Sequence, residues 1–546
     1  MNYKNMQLVI LMAGKGSRLY PLTLGFPKSL LSIKQKPAIY NMILPLINNG
    51  LKDITIIVNI ENKSLLQDFF DNSFKNVDIK FNYVIQDNFD GPAGAFKLAE
   101  KYIKRPTILL LGDTLCKYPE NYANSWIGVS EVKDKEKFRF CMIESDDSNV
   151  ITNIYDKPQG EVVTNDAAVG IYFFKNFRLL KKVLKLPIEK KHGEYQLSSL
   201  FELYMNEESL KVERIINWED IGTLESYVET NKNNFNCRNF NSLYLDKLGV
   251  IHKRSLFEKI TSEMNWFNEI INTDFEKLSP KFYENNKFNT EYGIEYYDYL
   301  TLAEYMTFYP LNDYSKKVIF NSIFCELIDI YEKNKIISLE FHDLFKTMLI
   351  DKTRKRILKW ERNDLVTKEK IIINGEEYDG LYKLMNKLLP EIENICKDTI
   401  NYISIIHGDV AFTNILVSPK SMIFKLIDPR GNFGIDTMYG DYRYDLAKLR
   451  HCYHGRYDEI INDLFYINEV NNELTLIFYK DIDYKLFDQC MLERKVNIDD
   501  IELIEALLFI SMIPLHNDYP TRQLAFFCQG IKFLNNQARK RGVLHD

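Results

Sequence analysis

Two separated clusters in this 546-residue chain have the residue types and spacing for phosphate chemistry. The first is Leu11-Met-Ala-Gly-Lys-Gly-Ser-Arg-Leu-Tyr-Pro-Leu-Thr-Leu-Gly-Phe-Pro-Lys28, directly after a short apolar run. Gly14 and Gly16 lack a Cβ, so their loop can wrap closely on a phosphate with its N–H groups turned toward it. Arg18 and Lys28 add fixed positive charge suited to a triphosphate. The spacing excludes a Walker A loop, because Val9 stands where its first Gly would fall relative to Gly14-Lys15. It also excludes the dinucleotide fingerprint, since Leu19 replaces the last Gly. A Gly-x-Gly after a strand also serves as a plain tight turn, so its meaning depends on what accompanies it.

The second cluster is Ile405-Ile-His-Gly-Asp-Val-Ala-Phe-Thr-Asn-Ile-Leu-Val417, followed by Phe424-Lys-Leu-Ile-Asp-Pro-Arg-Gly431. An apolar strand leads into His407-Gly408-Asp409, Asn414 follows five residues after Asp409, and a second apolar strand ends in Asp428. Kinases arrange a catalytic loop and a metal aspartate in this order. A hairpin with two exposed aspartates is the structural alternative, and it leaves the Asp, Asn, Asp spacing unexplained. A zinc role for His407 lacks a second His or Cys at ligand spacing, so the residue is expected to brace the loop.

Ala13-Gly-Lys-Gly-Ser-Arg18 with Phe26-Pro-Lys-Ser29 resembles the signature of the sugar-1-phosphate nucleotidyltransferases, and the rest of that pattern follows in order over about residues 6–230. The resemblance implies nucleotide binding by Ala13, Gly14, Gly16 and Ser17, with Arg18 and Lys28 catalytic. Gln86 and Gly91-Pro-Ala-Gly-Ala95, including Gly94, resemble the loop that reads the base. Asp113 in Leu109-Leu-Leu-Gly-Asp-Thr114 and Asp220 in Trp218-Glu-Asp-Ile-Gly-Thr-Leu-Glu225 resemble the two Mg²⁺ aspartates. Lys157, Gly170 and Glu194 stand in segments that resemble the sugar side. Pro92 replaces a more usual Thr, and Asp156 a more usual Glu; these departures bear on base preference and sugar contacts. Taken singly, Asp113 and Asp220 also read as turn or capping residues and Glu194 as a solvated one; the ordered set favours ligands.

The physics agrees with that implication. Joining an NTP to a phosphate monoester brings two polyanions together, so their charge must be neutralised. The sugar phosphate oxygen attacks the α-phosphate in line and pyrophosphate leaves, which makes catalysis positioning plus electrostatics. Two carboxylates sharing one ion repel each other without it, so one is expected to hold a proton more readily than an isolated Asp.

The second cluster, over roughly residues 242–546, resembles the aminoglycoside phosphotransferase and choline kinase family. That implies Asp409 accepting the proton of a substrate hydroxyl, with Asn414 and Asp428 on Mg²⁺ against the ATP phosphates. Gly249–Ser255 reads as a strand offering Lys253 to those phosphates, with Arg254 the alternative. Ser262–Ile270 reads as a helix from which Glu263 pairs with Lys253, and Glu295–Leu302 as a hinge toward adenine. No Gly-rich loop over the phosphates is evident.

The elements that must position these residues are legible in outline. Leu8–Met12, Ile54–Asn59, Phe81–Ile85 and Thr107–Leu111 are short apolar runs closely followed by Gly, Asn or Asp, and read as buried strands. Ala38–Asn49 and Ser64–Phe70 carry helical spacing between them. Alternation of this kind predicts an α/β fold with a doubly wound, mostly parallel sheet that binds ligands at its strands' carboxyl ends. Glu229–Asn241 is polar, Asn-rich and aperiodic, and is expected to join two domains, 1–232 and 242–546. The second is expected to be a bilobal, kinase-like α+β domain with lobes at about 242–308 and 309–546. From Tyr314 onward the spacing is mostly helical, over Ser315–Lys333, Leu381–Tyr402, Ile501–Met512 and Arg522–Arg541.

A formal net charge of -6 gives no basic face for nucleic acid. Leu8–Ala13 is far too short to span a bilayer, no leader is recognisable, and the eight scattered cysteines suit a reducing cytoplasm. Small-molecule substrates are therefore the expected partners, with a homo-oligomer open. Two such enzymes in one chain imply consecutive steps. ATP phosphorylates a small hydroxyl compound, expected to be a sugar at C1; CTP, UTP, GTP or dTTP then activates it for surface polysaccharide synthesis. The alternative substrate is a choline-, ethanolamine- or polyol-type alcohol activated by CTP, for which Tyr439, Asp441 and Tyr442 offer aromatic and acidic groups. A non-catalytic scaffold is a further alternative, against which both acidic ligand sets are complete.

Overall fold

The computed structural model describes residues 3–544 except 21, 24–25, 34–35, 234–240, 256–258, 285–289, 310, 419–422 and 434, and describes only backbone at 228, 231–233 and 241–242. The chain divides into two compact units, Met1–Phe235 and Asn236–Asp546. The expected junction is partly helical, since helix Leu224–Asn233 runs through its first residues. Most of the remainder lies outside the described residues.

In the first unit, strands Thr107–Leu111, Gln7–Leu11, Asp53–Val58 and Lys80–Ile85 lie side by side in that order, all parallel. Gln7–Leu11 is buried at every position. Parallel strands are covered on both faces, which is why these read as continuous apolar runs. Helices Ala38–Asn48 and Ile60–Ser73 provide the crossovers that parallel neighbours require. Beyond Thr107–Leu111 the sheet is mixed: Lys211–Arg214 pairs in parallel with Trp126–Glu131, and the other pairs are antiparallel. Asp166–Phe174 runs antiparallel to Thr107–Leu111, and Trp126–Glu131, Cys141–Ser145 and Ile151–Asp156 extend the sheet through antiparallel pairs. Among the described residues no α-helix separates these strands, and without a crossover helix antiparallel return is what a short connection allows.

The second unit opens with an antiparallel sheet ordered Asn241–Leu245, Val250–Ser255, Glu291–Glu295, Phe282–Glu284. Helix Lys259–Glu269 buries Ile260, Met264, Trp266 and Phe267. Helices Asp313–Lys333, Arg443–Tyr453, Ile498–Met512 and Pro520–Lys540 build most of the rest. Ile498–Met512 is buried nearly all round, as a central helix must be. Two short ribbons carry the second chemical cluster: Ile403–Ile405 pairs with Tyr439–Asp441, and Ile415–Ser418 with Ile423–Leu426.

The region after Tyr314 is less purely helical than its spacing predicts. A four-stranded sheet ordered Glu376–Asp379, Lys370–Ile373, Glu473–Phe478, Phe465–Val470 interrupts it. Its hairpins turn at Asn374-Gly375 and Asn471-Asn472, all four at positive φ, the geometry that matches strand twist. The helix expected over Leu381–Tyr402 breaks at Leu388, and Pro390 sits in the first turn of the next, where its missing N–H costs nothing. Among the described residues no helix is long and apolar enough to cross a membrane.

Candidate functional site

At the carboxyl ends of the four parallel strands the loops converge, as they do at ligand sites of such sheets. Leu11 is in register with both Ile57 and Leu111, so the loop after it lies between Asn59 and Gly112. Asn59 ties that loop to the helix that follows it. Its side chain accepts from the Asn62 N–H at 2.8 Å, capping helix Ile60–Ser73, and donates to the Ala13 carbonyl at 2.9 Å. Gly16 takes φ 66°, and the Thr23 hydroxyl donates to its carbonyl at 2.8 Å. This turn leaves Ser17 and Arg18 exposed in the single-turn helix Ser17–Leu19.

Lys28 closes the floor. A Cβ on Gly14 would lie 4.0 Å from its Nζ, and the ammonium pairs with the Asp113 carboxylate. Burial alone would raise the Asp113 carboxyl, but Lys28 and Arg18 together hold it below its ordinary value. The expected proton-holding carboxylate is therefore reversed at Asp113, where cations outweigh any like charge.

Asp220 arrives from the other side. It pairs with Thr114 across the short ladder of Glu219–Asp220 and Thr114–Leu115, so both aspartates come from adjoining backbone. It accepts from the Gly222 N–H and from Arg139 Nη2, each at 2.9 Å. Arg18 Nη2 stands 3.4 Å from the position of a Gly222 Cβ, which brings Arg18 to the same corner. Two carboxylate oxygen donors suit Mg²⁺, which takes one or two carboxylates and leaves its other positions to waters and phosphates. Among the described residues no group of three or more His, Cys, Asp or Glu side chains gathers as metal ligands.

The segments expected to face the base and the sugar meet one another. Buried Gln86 donates through Nε2 to Asp90 Oδ1 at 2.9 Å and to the Gly91 carbonyl at 3.3 Å. The Tyr195 N–H donates to Asp90 at 2.7 Å and the Ala93 N–H to Tyr195 at 2.9 Å, stitching the two loops. A Cβ on Gly94 would sit 2.3 Å from Asp90 Oδ1, and one on Gly91 2.9 Å from the Glu194 Cβ. Glu194 itself is exposed and accepts from Gln196 at 3.2 Å. Lys157, at φ 48°, enters through its backbone, donating to the Phe140 carbonyl at 3.0 Å beside Arg139.

Gly170 has φ 87°, and its Cβ would fall 2.1 Å from Thr114 Oγ1, which donates to Val169 at 2.8 Å. Gly170→Ala must therefore push Thr114 off the strand end that carries Asp113. It is expected to cost about 2 kcal/mol or more in stability. A thermal melt of the first unit checks this; an unchanged midpoint would mean the close approach is not rigid.

In the second unit Lys253 is 5% exposed, and its ammonium lies 2.7 Å from Glu263 Oε2 and 3.0 Å from Asp428 Oδ1. Tyr292 donates to the same Glu263 oxygen at 2.8 Å, whereas Arg254 is exposed. Burial would lower the Lys253 ammonium, but Asp428 and Glu263 raise it, so it stays charged. Asp428 takes φ 57°, at the end of the strand that brings it there.

The His407-Gly408-Asp409 loop is held from behind. Asp445 accepts the His407 N–H at 2.9 Å, the Gly408 N–H at 2.8 Å and the Tyr331 hydroxyl at 3.0 Å. Burial nonetheless pushes its carboxyl up to about 7. Buried His407, with the Trp266 ring edge-on at 5.4 Å, is pushed down to about 4 by burial and is neutral at pH 7. It braces; it does not carry charge. Asn414 donates to the Asp409 carbonyl at 2.9 Å, and its own carbonyl accepts the Ile427 N–H at 3.0 Å, joining the two ribbons. The Asp409 side chain keeps 39% of its surface open, and Lys448 Nζ lies 3.1 Å from its Oδ1. Burial would raise the Asp409 carboxyl, but Lys448 holds it well below the usual range. Lys253, Glu263, Asp409, Asn414 and Asp428 are thus brought to one site.

The aromatic and acidic set suited to a cationic alcohol is differently disposed. Asp441 is buried and bound by Arg443, 2.6 Å away at Nη2, and by Thr399 at 2.9 Å; the Tyr442 hydroxyl donates to Glu332 at 3.0 Å. The Asp441 charge is already matched.

Sequence reasoning missed Asn59, Asp90, Thr114 and Arg139 in the first unit, and Tyr292, Asp445 and Lys448 in the second. Asn59 carried a signal, an Asn directly after an apolar run and before a helix. Asp445 and Lys448 carried none, since charged residues on a helix ordinarily read as its solvated face.

The sequence pattern described as nucleotidyl transferase matches residues 7–236. A glucose-1-phosphate thymidylyltransferase of Neisseria gonorrhoeae is 31% identical over 239 residues, covering 41% of this chain and 81% of that protein. The bifunctional protein GlmU of Methanococcus vannielii is 30% identical over 227 residues, covering 40% of this chain and 52% of that protein. A crystal structure of UDP-glucose pyrophosphorylase complexed with UDP-glucose aligns at 22% identity with a TM-score of 0.38, over 41% of this chain and 97% of that one.

Proposed function

We propose a function from the premise that the chain belongs to the nucleotidyl transferase family through residues 7–236. The first unit is a nucleotidyltransferase; its substrates, on our reading, are a sugar 1-phosphate and an NTP, with pyrophosphate released. The observation that carries this is the corner where Lys28, Arg18, Asp113 and Asp220 meet. Arg18 and Lys28 neutralise the triphosphate as the sugar phosphate oxygen attacks the α-phosphorus. Gln86, oriented by Asp90, faces the base. Asp113 and Asp220 would hold Mg²⁺, which when bound supplies charge neutralisation at the phosphate oxygens.

The second unit reads as an ATP-dependent phosphotransferase, on the strength of the Lys253–Glu263, Lys253–Asp428 and Asp409–Asn414 contacts. Lys253, fixed by Glu263, aligns the ATP phosphates. Asp409 orients the acceptor hydroxyl and takes its proton as the oxygen–phosphorus bond forms; the bond from the γ-phosphorus to the bridging oxygen breaks and ADP leaves. Asn414 and Asp428 would hold Mg²⁺ in this unit. Run in sequence, the two reactions yield a nucleotide-activated donor of the kind that surface polysaccharide synthesis consumes.

A panel of NTPs and sugar 1-phosphates assayed for pyrophosphate, and of acceptors assayed for ADP, tests both halves. We further propose that the halves are domains, 1–232 and 242–546. Each expressed fragment is expected to fold and keep its own activity, read by circular dichroism and the two assays. Insoluble, inactive fragments would move the boundary.

A further inference from the structure

We propose that Lys448 is a positioning residue of the second unit: by holding Asp409 Oδ1 it aims Oδ2, the oxygen that takes the proton, at the acceptor hydroxyl. This rests on the phosphotransferase reading above. The two oxygens of the Asp409 carboxylate are held unequally. Oδ1 has the Lys448 ammonium at 3.1 Å, whereas Oδ2 has, among the described residues, the Asn414 amide at a long 3.4 Å. That amide makes its shorter bond, 2.9 Å, to the Asp409 carbonyl. A carboxylate bound through one oxygen is fixed in rotation, and its other oxygen keeps the capacity to accept.

The helix that carries Lys448 shapes the whole loop. Along Arg443–Tyr453, Asp445, Lys448 and Cys452 follow at intervals of three and four residues and so share one face. Asp445 accepts the His407 and Gly408 N–H groups, Lys448 meets the Asp409 carboxylate, and Cys452 Sγ accepts the Phe412 N–H at 3.3 Å. The outer two bind backbone and hold the path of the loop; of the three, Lys448 alone meets a side chain. The helix is fixed at its start, where buried Arg443 bonds Asp441 at 2.6 Å, Asp500 at 3.0 Å and the Ile395 carbonyl at 2.8 Å. A face anchored in this way can place Lys448 as closely as proton transfer requires.

The Lys448 side chain is only 13% exposed, and an ion pair made by burying an ammonium adds little net stability. Burial would lower that ammonium, but Asp409 raises it, so it stays charged at pH 7. Asp445 and Cys452 already hold the loop on either side, so the buried charge between them has its use in the chemistry of Asp409. The loop cannot supply such a cation itself, since Val410-Ala-Phe-Thr413, between Asp409 and Asn414, carries no charge.

The test uses the full chain with Mg²⁺ and ATP, following ADP formation with glucose, glycerol, choline and water alone as acceptors. Lys448→Met is expected to lower kcat by about 10- to 100-fold for the acceptor that the wild type uses best, with the KM for ATP unchanged. Lys448→Arg, which keeps the charge, is expected to regain part of that loss. Adding Lys448→Met to Asp409→Asn should lower the rate by less than about 2-fold further, because Lys448 acts through that carboxylate. Full activity in Lys448→Met, a loss confined to the KM for ATP, or a double variant worse by the whole single factor overturns the positioning role and leaves the phosphotransferase reading standing. Should circular dichroism show Lys448→Met unfolded, Lys448→Gln and Lys448→Arg give the same comparison, and equal rates overturn the role. No ADP from the wild type with any acceptor, water included, overturns the phosphotransferase reading and the positioning role with it.

Discussion

Asp409→Asn is expected to lower ADP formation by about 10²- to 10⁴-fold, the usual worth of a positioned general base, while pyrophosphate release from a supplied sugar phosphate is untouched. The surroundings make this substitution a clean one. Asn is nearly isosteric, the loop is held by Asp445 and Trp266 rather than by the Asp409 side chain, and Asn414 bonds the Asp409 carbonyl. What disappears is the charge that Lys448 faces and the oxygen that would receive a proton. Binding of ATP should change little, because Lys253 keeps its contacts with Glu263 and Asp428 in the variant. A folded variant that keeps full ADP formation would remove Asp409 from the chemistry, and loss of both activities would refute two independent sites.

The residues that made this prediction possible were legible because loops at strand ends carry chemistry in short, locally ordered motifs. His407-Gly408-Asp409 with Asn414 and Asp428 needs only two ribbons to come together, and each is announced by its own apolar run. Lys448 and Asp445 were illegible because their meaning is a tertiary contact some forty residues distant, which no spacing encodes. The same division runs through the fold. The parallel strands could be read from continuous apolar runs, as at Leu8–Met12, where the structure has Gln7–Leu11 buried at every position. The antiparallel extension around Asp166–Phe174 depends on which strand pairs with which, and cross-strand partners leave only a weak local trace. The sheet at Lys370–Asp379 did leave one, the Asn374-Gly375 turn between Ile373 and Glu376, and the surrounding helical spacing masked it.

Asp113→Asn carries the other large effect, and the Lys28 contact lets its pH dependence be signed. Nucleotidyl transfer is expected to fall on the order of 10²- to 10³-fold, the scale seen when one preorganised charge is removed from a transition state. Asp220→Asn should do likewise, and the double variant should be barely worse than either, because the pair acts as a unit. Stability adds an independent readout. The Asp113 carboxyl is held below its unfolded value, by Lys28 and Arg18 acting against burial. Such a group stabilises the fold above its unfolded pKa, near 4, and that contribution fades as pH falls through the lower, folded value. Asp113→Asn should thus destabilise the first unit by about 1–3 kcal/mol at pH 7, with Lys28 left half-buried without its carboxylate. The gap between wild type and variant should narrow progressively once the pH drops below about 4. Thermal melts of the two proteins at pH 7, 5 and 3.5, beside pyrophosphate release at pH 7, measure both effects. A stability gap that widens on acidification would mean that the Asp113 carboxyl is raised rather than lowered, and the Lys28 pair would not be what holds the strand end.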